Sequence, residues 1–238
     1  MRKLILKFWL GLCLVLMAQP SWAADFKTVV KTCNSHLYDL KEMRACGMLA
    51  TQLSWTDPIN HGVAYFLRAR AYLNLGKPEY AILDATQTLA LLEQEQPSYA
   101  KVLISADALR QRAYAVRSTG YAKTGKPDEA AADREKAISL ATQAIDSAPI
   151  AGNYLNRAYV YQLLGDNADA MKDAMRAWEL TPHNADVLEA RGEIFENLGN
   201  RTAASQDYHS ALDSNPDQQH AQEGLTRLAS SSGTQQLY

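Results

Sequence analysis

The sequence predicts an all-α protein assembled from antiparallel helix hairpins, and three observations point there. Gly76, Gly125, Gly165 and Gly199 each stand where one helical stretch stops and another begins, in LNLGKPEYA, AKTGKPDEA, QLLGDNADA and ENLGNRTAA. Registered on these glycines, the flanking segments repeat their residue types at helical spacing. Pro78 and Pro127 fall at the start of a second helix, where a missing N–H costs little. Thr181-Pro182 and Asn215-Pro216 close the second helix of the last two units.

Each register position has a physical reason. Glycine stops the first helix because it adopts positive φ without a Cβ clash. Four residues before it stands an aromatic: Tyr72, Tyr121, Tyr161 or Phe195. Seven before stands a small residue, Ala69, Ser118, Ala158 or Gly192, and eleven before come Tyr65, Tyr114, Tyr154 and Leu188. Five after is always alanine, at 81, 130, 170 and 204, and twelve after come Thr88, Ala137, Ala177 and Ala211. Positions −11, −7 and −4 share one helical face. The small side chains let two helices approach, and the aromatics fill the space beside them. The glycines lie 49, 40 and 34 residues apart, so the earlier units carry insertions.

The third segment, NYLNRAYVYQLLGDNADAMKDAMRAWELTP, and the fourth, VLEARGEIFENLGNRTAASQDYHSALDSNP, resemble the tetratricopeptide repeat (TPR) family. The first segment lacks the closing proline, and the second has Arg134 where a small or aromatic residue is usual. The resemblance runs from Val63 to about Leu228. It implies a right-handed superhelical, TPR-like α-solenoid whose members mostly bind peptides or proteins. Their inner groove is lined by the first helix of each hairpin, 13, 10, 6 and 3 residues before the glycine. In the first unit these positions are Val63, Phe66, Arg70 and Leu73, and in the second Arg112, Ala115, Thr119 and Ala122. The third unit offers Gly152, Leu155, Tyr159 and Gln162, whereas the fourth is wholly acidic: Asp186, Glu189, Glu193 and Glu196.

The expected partner-binding groove is therefore Phe66, Arg70, Arg112, Leu155, Tyr159, Gln162, Asp186, Glu189, Glu193 and Glu196. Four carboxylates on one helical face repel by a few tenths of a kcal/mol per pair unless a cation offsets them. Two readings follow: an ordinary solvated face, or a negative groove end suited to a partner segment carrying Lys or Arg. The family's carboxylate clamp needs Lys, Asn and Arg at groove positions; Arg70 and Arg112 do not complete that set.

A second pattern goes beyond the generic repeat. Eight residues before each glycine is an arginine (Arg68, Arg117, Arg157, Arg191), and eight after is an aspartate (Asp84, Asp133, Asp173, Asp207). In an antiparallel hairpin both lie at one height, roughly 12 Å from the turn. The expectation is paired charges that fix helix register, within a repeat or with its neighbour, rather than an ion or ligand ladder.

The ends differ from the array. Met1–Lys7 carries Arg2, Lys3 and Lys7, and Phe8–Ala18 is an apolar run of eleven residues, against roughly 20 for a membrane-spanning helix. Small residues at Ser21 and Ala23 then complete the pattern of a cleavable signal peptide over residues 1–23. Periplasmic or secreted location is expected, with no membrane insertion after cleavage; an uncleaved anchor is the alternative. Cys33 and Cys46 are expected to form a disulfide across an N-terminal hairpin, Asp25–His36 with Leu40–Ser54, in which Asp39 and Glu42 make a capping box. Two reduced, buried thiols are the other reading. The expected organisation is residues 24–60 for that hairpin, 61–229 for four repeats and a capping helix bearing Ala221, Leu225 and Leu228, and 230–238 for a flexible tail. Ser98–Thr124 and Pro127–Ser147 read as two long helices, with Gln94–Ser98 as linker, so the second hairpin is expected to protrude.

Removal of the signal takes the charge from −2 to about −5, which leaves no footprint for nucleic acid or anionic lipid. The histidines at 36, 61, 183, 209 and 220 show no metal-ligand spacing, and no glycine-rich phosphate loop occurs. No catalytic residue, metal or cofactor is expected. The expected function is an envelope interaction scaffold holding a partner polypeptide in its groove. The alternative is a self-assembling or accessory subunit of an envelope enzyme or secretion complex, contacting through the second hairpin.

Overall fold

The computed structural model describes residues 32–33, 40–52, 58–93 and 104–232. The expected signal peptide, the Asp39 capping box, the Gln94–Ser98 linker and the end of the tail lie outside the described residues. Among these residues the secondary structure is helical, without strands: α1 Leu40–Gln52, α2 Pro58–Asn74, α3 Pro78–Glu93, α4 Ala106–Lys123, α5 Pro127–Ser147, α6 Ala151–Leu164, α7 Asn167–Leu180, α8 Ala185–Asn197, α9 Arg201–Ser214 and α10 Gln219–Ser232. Helices pair as α2/α3, α4/α5, α6/α7 and α8/α9, and the first helices α2, α4, α6 and α8 touch in succession to form one wall. The fold is an all-α, TPR-like solenoid.

The hairpin turns follow from the glycines, whose φ values are 67°, 74°, 83° and 76° at Gly76, Gly125, Gly165 and Gly199. Around them the core is built from small residues. Ala69, Ala158, Ala81, Ala170, Ala204, Ala137, Ala177 and Ala211 are fully enclosed. Where the small residue is Ser118, its hydroxyl donates to the Ala130 carbonyl at 2.7 Å, so close approach is kept without an orphaned polar group.

The second hairpin departs from its expected shape. Ser105 caps α4: its backbone is extended and its side chain accepts from Ala108 N at 3.2 Å, so the helix begins at Ala106 and not at Ser98. Helix α5 is long as expected, at 21 residues against 14 in α7 and α9. Its later turns do not stand free, because Ala141 and Ile145 are buried and Asn153 of α6 donates to the carbonyls of Ala144 and Ala148.

At the front, Cys33 and Cys46 are disulfide-bonded across 13 residues, with Cα atoms 4.7 Å apart. At the back, α10 runs alongside α8 where the first helix of a further hairpin would lie. Gln218 donates to Asp186, and Arg227 donates to Glu196. These pairs are 32 and 31 residues apart, close to one repeat period.

Candidate functional site

The arginine–aspartate pattern forms within each hairpin. Arg68, Arg117, Arg157 and Arg191 each bind both oxygens of Asp84, Asp133, Asp173 and Asp207, through Nε and Nη2 at 2.6–2.9 Å. These hydrogen bonds hold Arg68, Arg117 and Arg157 above the ordinary arginine range, against the opposing effect of burial. The register aromatics flank the guanidinium: Arg68 lies 5.2 Å from the Tyr65 ring and 5.9 Å from Tyr72, and Arg117 lies 5.4 Å and 5.9 Å from Tyr114 and Tyr121. Each of the last three arginines also reaches the preceding hairpin, to Thr86, Thr142 and Met175. Thr86 and Met175 stand ten residues after their glycines and Thr142 seventeen after its own, which places the insertion in α5 at two helical turns. The charge ladder is an internal fastening and leaves the inner wall as the candidate site.

That wall encloses a cavity of about 250 Å³ running from α2 to α10. Val63, Phe66 and Leu67 of α2 and Ile104 ahead of α4 give it an apolar side; Phe66 is 4 % exposed. Arg70, Arg112, Tyr159, Gln162, Glu189 and Glu193 line the remainder, joined by Leu163, Tyr208, His220 and Arg227. Burial pulls the Arg112 guanidinium down to about 10, with the charge of Arg70 adding to this and Tyr159 and Glu193 opposing it. Burial likewise lowers Arg70 and raises the Tyr159 phenol. The Tyr159 hydroxyl donates to Glu193 at 3.3 Å, which ties α6 to α8.

Three of the ten expected groove residues lie elsewhere. Leu155 is half-buried on α6 and does not line the cavity. Asp186 is exposed and accepts from Gln218 at 2.6 Å. Glu196 accepts from Tyr208 at 2.7 Å and from both Nε and Nη2 of Arg227, at 3.0 and 2.9 Å. Glu189 accepts from the Ala221 backbone N–H in the first turn of α10, where the helix dipole favours an anion. Burial, followed by the charges of Glu193 and Asp186, pushes Glu189 up to about 7. The acidic stripe thus serves largely as the seat of the capping helix. Sequence register alone did not reveal this, because Arg227 and Gln218 lie outside the four repeats.

Other contributors escaped the sequence reading. Gln111 and Asn156 are 3 % and 8 % exposed and hydrogen-bond to each other across α4 and α6. Tyr208, 1 % exposed, lies between Gly192 and Gly224, each without room for a methyl group. An isolated glycine inside a helical pattern, such as Gly224, is a signal of close packing that was there to be used. Among the described residues no group of three or more His, Cys, Asp or Glu is placed to hold a metal ion, and no helix is long and apolar enough to cross a membrane.

Stacked hairpins with an enclosed inner wall define a helical-repeat protein. Residues 151–184, spanning α6 and α7, match the family model described as Tetratricopeptide repeat. Solved structures with a similar course include TTC0263, a thermophilic TPR protein in Thermus thermophilus, at 21 % identity over 86 % of this chain and 95 % of that one, with a TM-score of 0.44. A tetratricopeptide repeat protein from Parabacteroides merdae ATCC 43184 is 20 % identical over 87 % of this chain and 68 % of its own, with a TM-score of 0.41. YrrB, described as a TPR protein with an unusual peptide-binding site, is 14 % identical over 85 % of this chain and 98 % of that one, with a TM-score of 0.37.

Proposed function

We propose that this protein is an exported envelope adaptor that holds a segment of a partner polypeptide against its inner wall. The tetratricopeptide fold supports an interaction scaffold in general. The finer reading rests on one observation: the cavity joins an apolar side from α2 to polar groups on α4, α6 and α8. Apolar contact with a few directed polar groups is the composition of a recognition site. Export rests on the basic and apolar N-terminal pattern and on the Cys33–Cys46 disulfide, a bond that persists in oxidising compartments. The basic partner segment expected from the acidic stripe is left aside, because α10 engages Asp186, Glu189 and Glu196.

Gln162 provides the test, because it lines the cavity and its Nε2 makes no hydrogen bond. Gln162→Trp fills the space with little demand on the fold. The tagged protein is used as bait in envelope extract, and captured proteins are compared by mass spectrometry. The variant is expected to lose the specific partner while keeping its helical circular dichroism. Capture equal to wild type, with the fold intact, overturns the groove reading.

A further inference from the structure

The arginines at 68, 117, 157, 191 and 227 each grip a carboxylate with two hydrogen bonds. Arg112 does not. Its Nε donates to Asn156 Oδ1 at 2.8 Å, its guanidinium lies 4.5 Å from the Tyr159 ring centroid, and among the described residues no carboxylate stands within ion-pair distance. Holding a charge away from water without a counter-ion is costly, so such a group calls for an explanation.

The surroundings aim this guanidinium. Gln111 Nε2 donates to the Leu140 carbonyl at 3.5 Å, Asn156 Nδ2 donates to Gln111 Oε1, and Asn156 Oδ1 receives the Arg112 Nε–H. Two enclosed amides, neither at a position the repeat register uses, are thus chained so as to fix one side chain's direction. Nearly one turn past Tyr159 on α6, the buried Nε2 of Gln162 has no acceptor and lines the same cavity. Both groups are donors. The nearby acids are engaged: Glu193 accepts from Tyr159, Glu196 from Arg227, and Glu189 from the α10 backbone.

We propose that the cavity seats a side-chain carboxylate, a Glu or Asp within the partner segment, on Arg112, with Gln162 donating beside it. This rests on the groove reading above and names the partner's chemistry. The lining continues past Arg112 in both directions, to Phe66 on α2 and to Arg227 on α10, so a chain passes through rather than ending there. Val63 and Leu67 place an apolar neighbour next to the acid in that segment. The site is one guanidinium aimed by two amides, and it differs from the Lys, Asn and Arg set of the family's clamp.

The test is nuclear magnetic resonance of the arginine Nε–Hε groups in the purified protein, titrated with N-acetyl-glutamate N-methylamide and with its glutamine counterpart. The Arg112 resonance is expected to shift saturably with the glutamate probe, at about tenfold higher affinity than with glutamine, as a charge-assisted bond requires. Arg112→Gln should bring the two probes to parity. Should that variant unfold, Gln162→Leu carries the same test, with binding of the glutamate probe weakened about threefold by loss of one donor. Equal affinities for wild type, or shifts confined to other arginines, overturn the proposal. If the glutamate probe fails while Gln162→Trp still abolishes partner capture, the Arg112 assignment falls and the groove reading stands. If the probe binds while Gln162→Trp leaves capture intact, the groove reading and the side-chain source both fall, leaving a site for a small free acid.

Discussion

The bidentate arginine–aspartate pair is the repeating structural device at the residue scale. Arg191 and Asp207 have side chains only 12 % and 8 % exposed, so neither charge is well solvated if its partner is removed. Asp207→Asn is expected to lower the unfolding free energy in urea by about 3 kcal/mol, because it strands a buried guanidinium. Arg134 and Asp166 are also paired, but at 43 % and 24 % exposure water competes for them. Asp166→Asn should therefore change stability by less than about 1 kcal/mol. Similar losses from both variants would mean that the ladder acts as surface charge and does not fasten the hairpins. The sequence showed the spacing of this ladder, but not that register aromatics would stack on its guanidinium groups, since that contact needs two helices already in place.

At the scale of the element, α10 is decided by shape and charge together. A methyl group at Gly224 would lie 2.4–2.9 Å from atoms of the Tyr208 ring, whereas one at Gly152, in the first turn of α6, meets nothing within 4 Å. Gly224→Ala is expected to destabilise by about 1–3 kcal/mol through overpacking, with α10 losing amide protection first. Gly152→Ala should instead stabilise by about 0.5–1 kcal/mol, because it removes backbone freedom from the unfolded chain. Thermal melts of the two variants would separate these cases.

The seat of α10 also carries a pH response. Glu189 keeps its proton up to about 7 in the folded chain, against an ordinary value of 4.5, under burial and the charges of Glu193, Asp186 and Glu223. The folded state thus binds the extra proton between those two values, and this group's contribution to stability declines as pH rises through that window. Glu189→Gln is expected to melt like wild type near pH 4 and several degrees higher at pH 8. A difference in melting temperature that is flat across that range would contradict the assignment.

For the whole molecule, nearest-neighbour stacking means that each unit is stabilised locally and by the units beside it. The disulfide ties α1 to Cys33, ahead of α2, at the end with no earlier hairpin among the described residues. Closing a loop of this size contributes about 3 kcal/mol by restraining the unfolded chain. Reduction should therefore speed hydrogen exchange in α1 and, less, in α2, while α8 and α9 exchange as before. Uniform loss of protection along the chain would show that the array unfolds as a single unit.

Local chemistry accounts for what the sequence determined by itself. Glycine's tolerance of positive φ, proline's missing N–H and the 3.6-residue period act within a few residues, so the hairpins, their register and the arginine–aspartate heights were legible from residue spacing. Position on the inner wall was legible as well for Phe66, Arg70, Arg112, Tyr159, Gln162, Glu189 and Glu193, because a helix face is a property of periodicity. Which groups those residues meet there was decided by tertiary structure. Whether a charge on that wall is answered depends on groups distant in sequence: Arg227 reaches Glu196 across 31 residues, while Arg112, held by Asn156 44 residues away, meets no carboxylate among the described residues. Electrostatic partnership follows distance through space, which spacing along one helix does not encode.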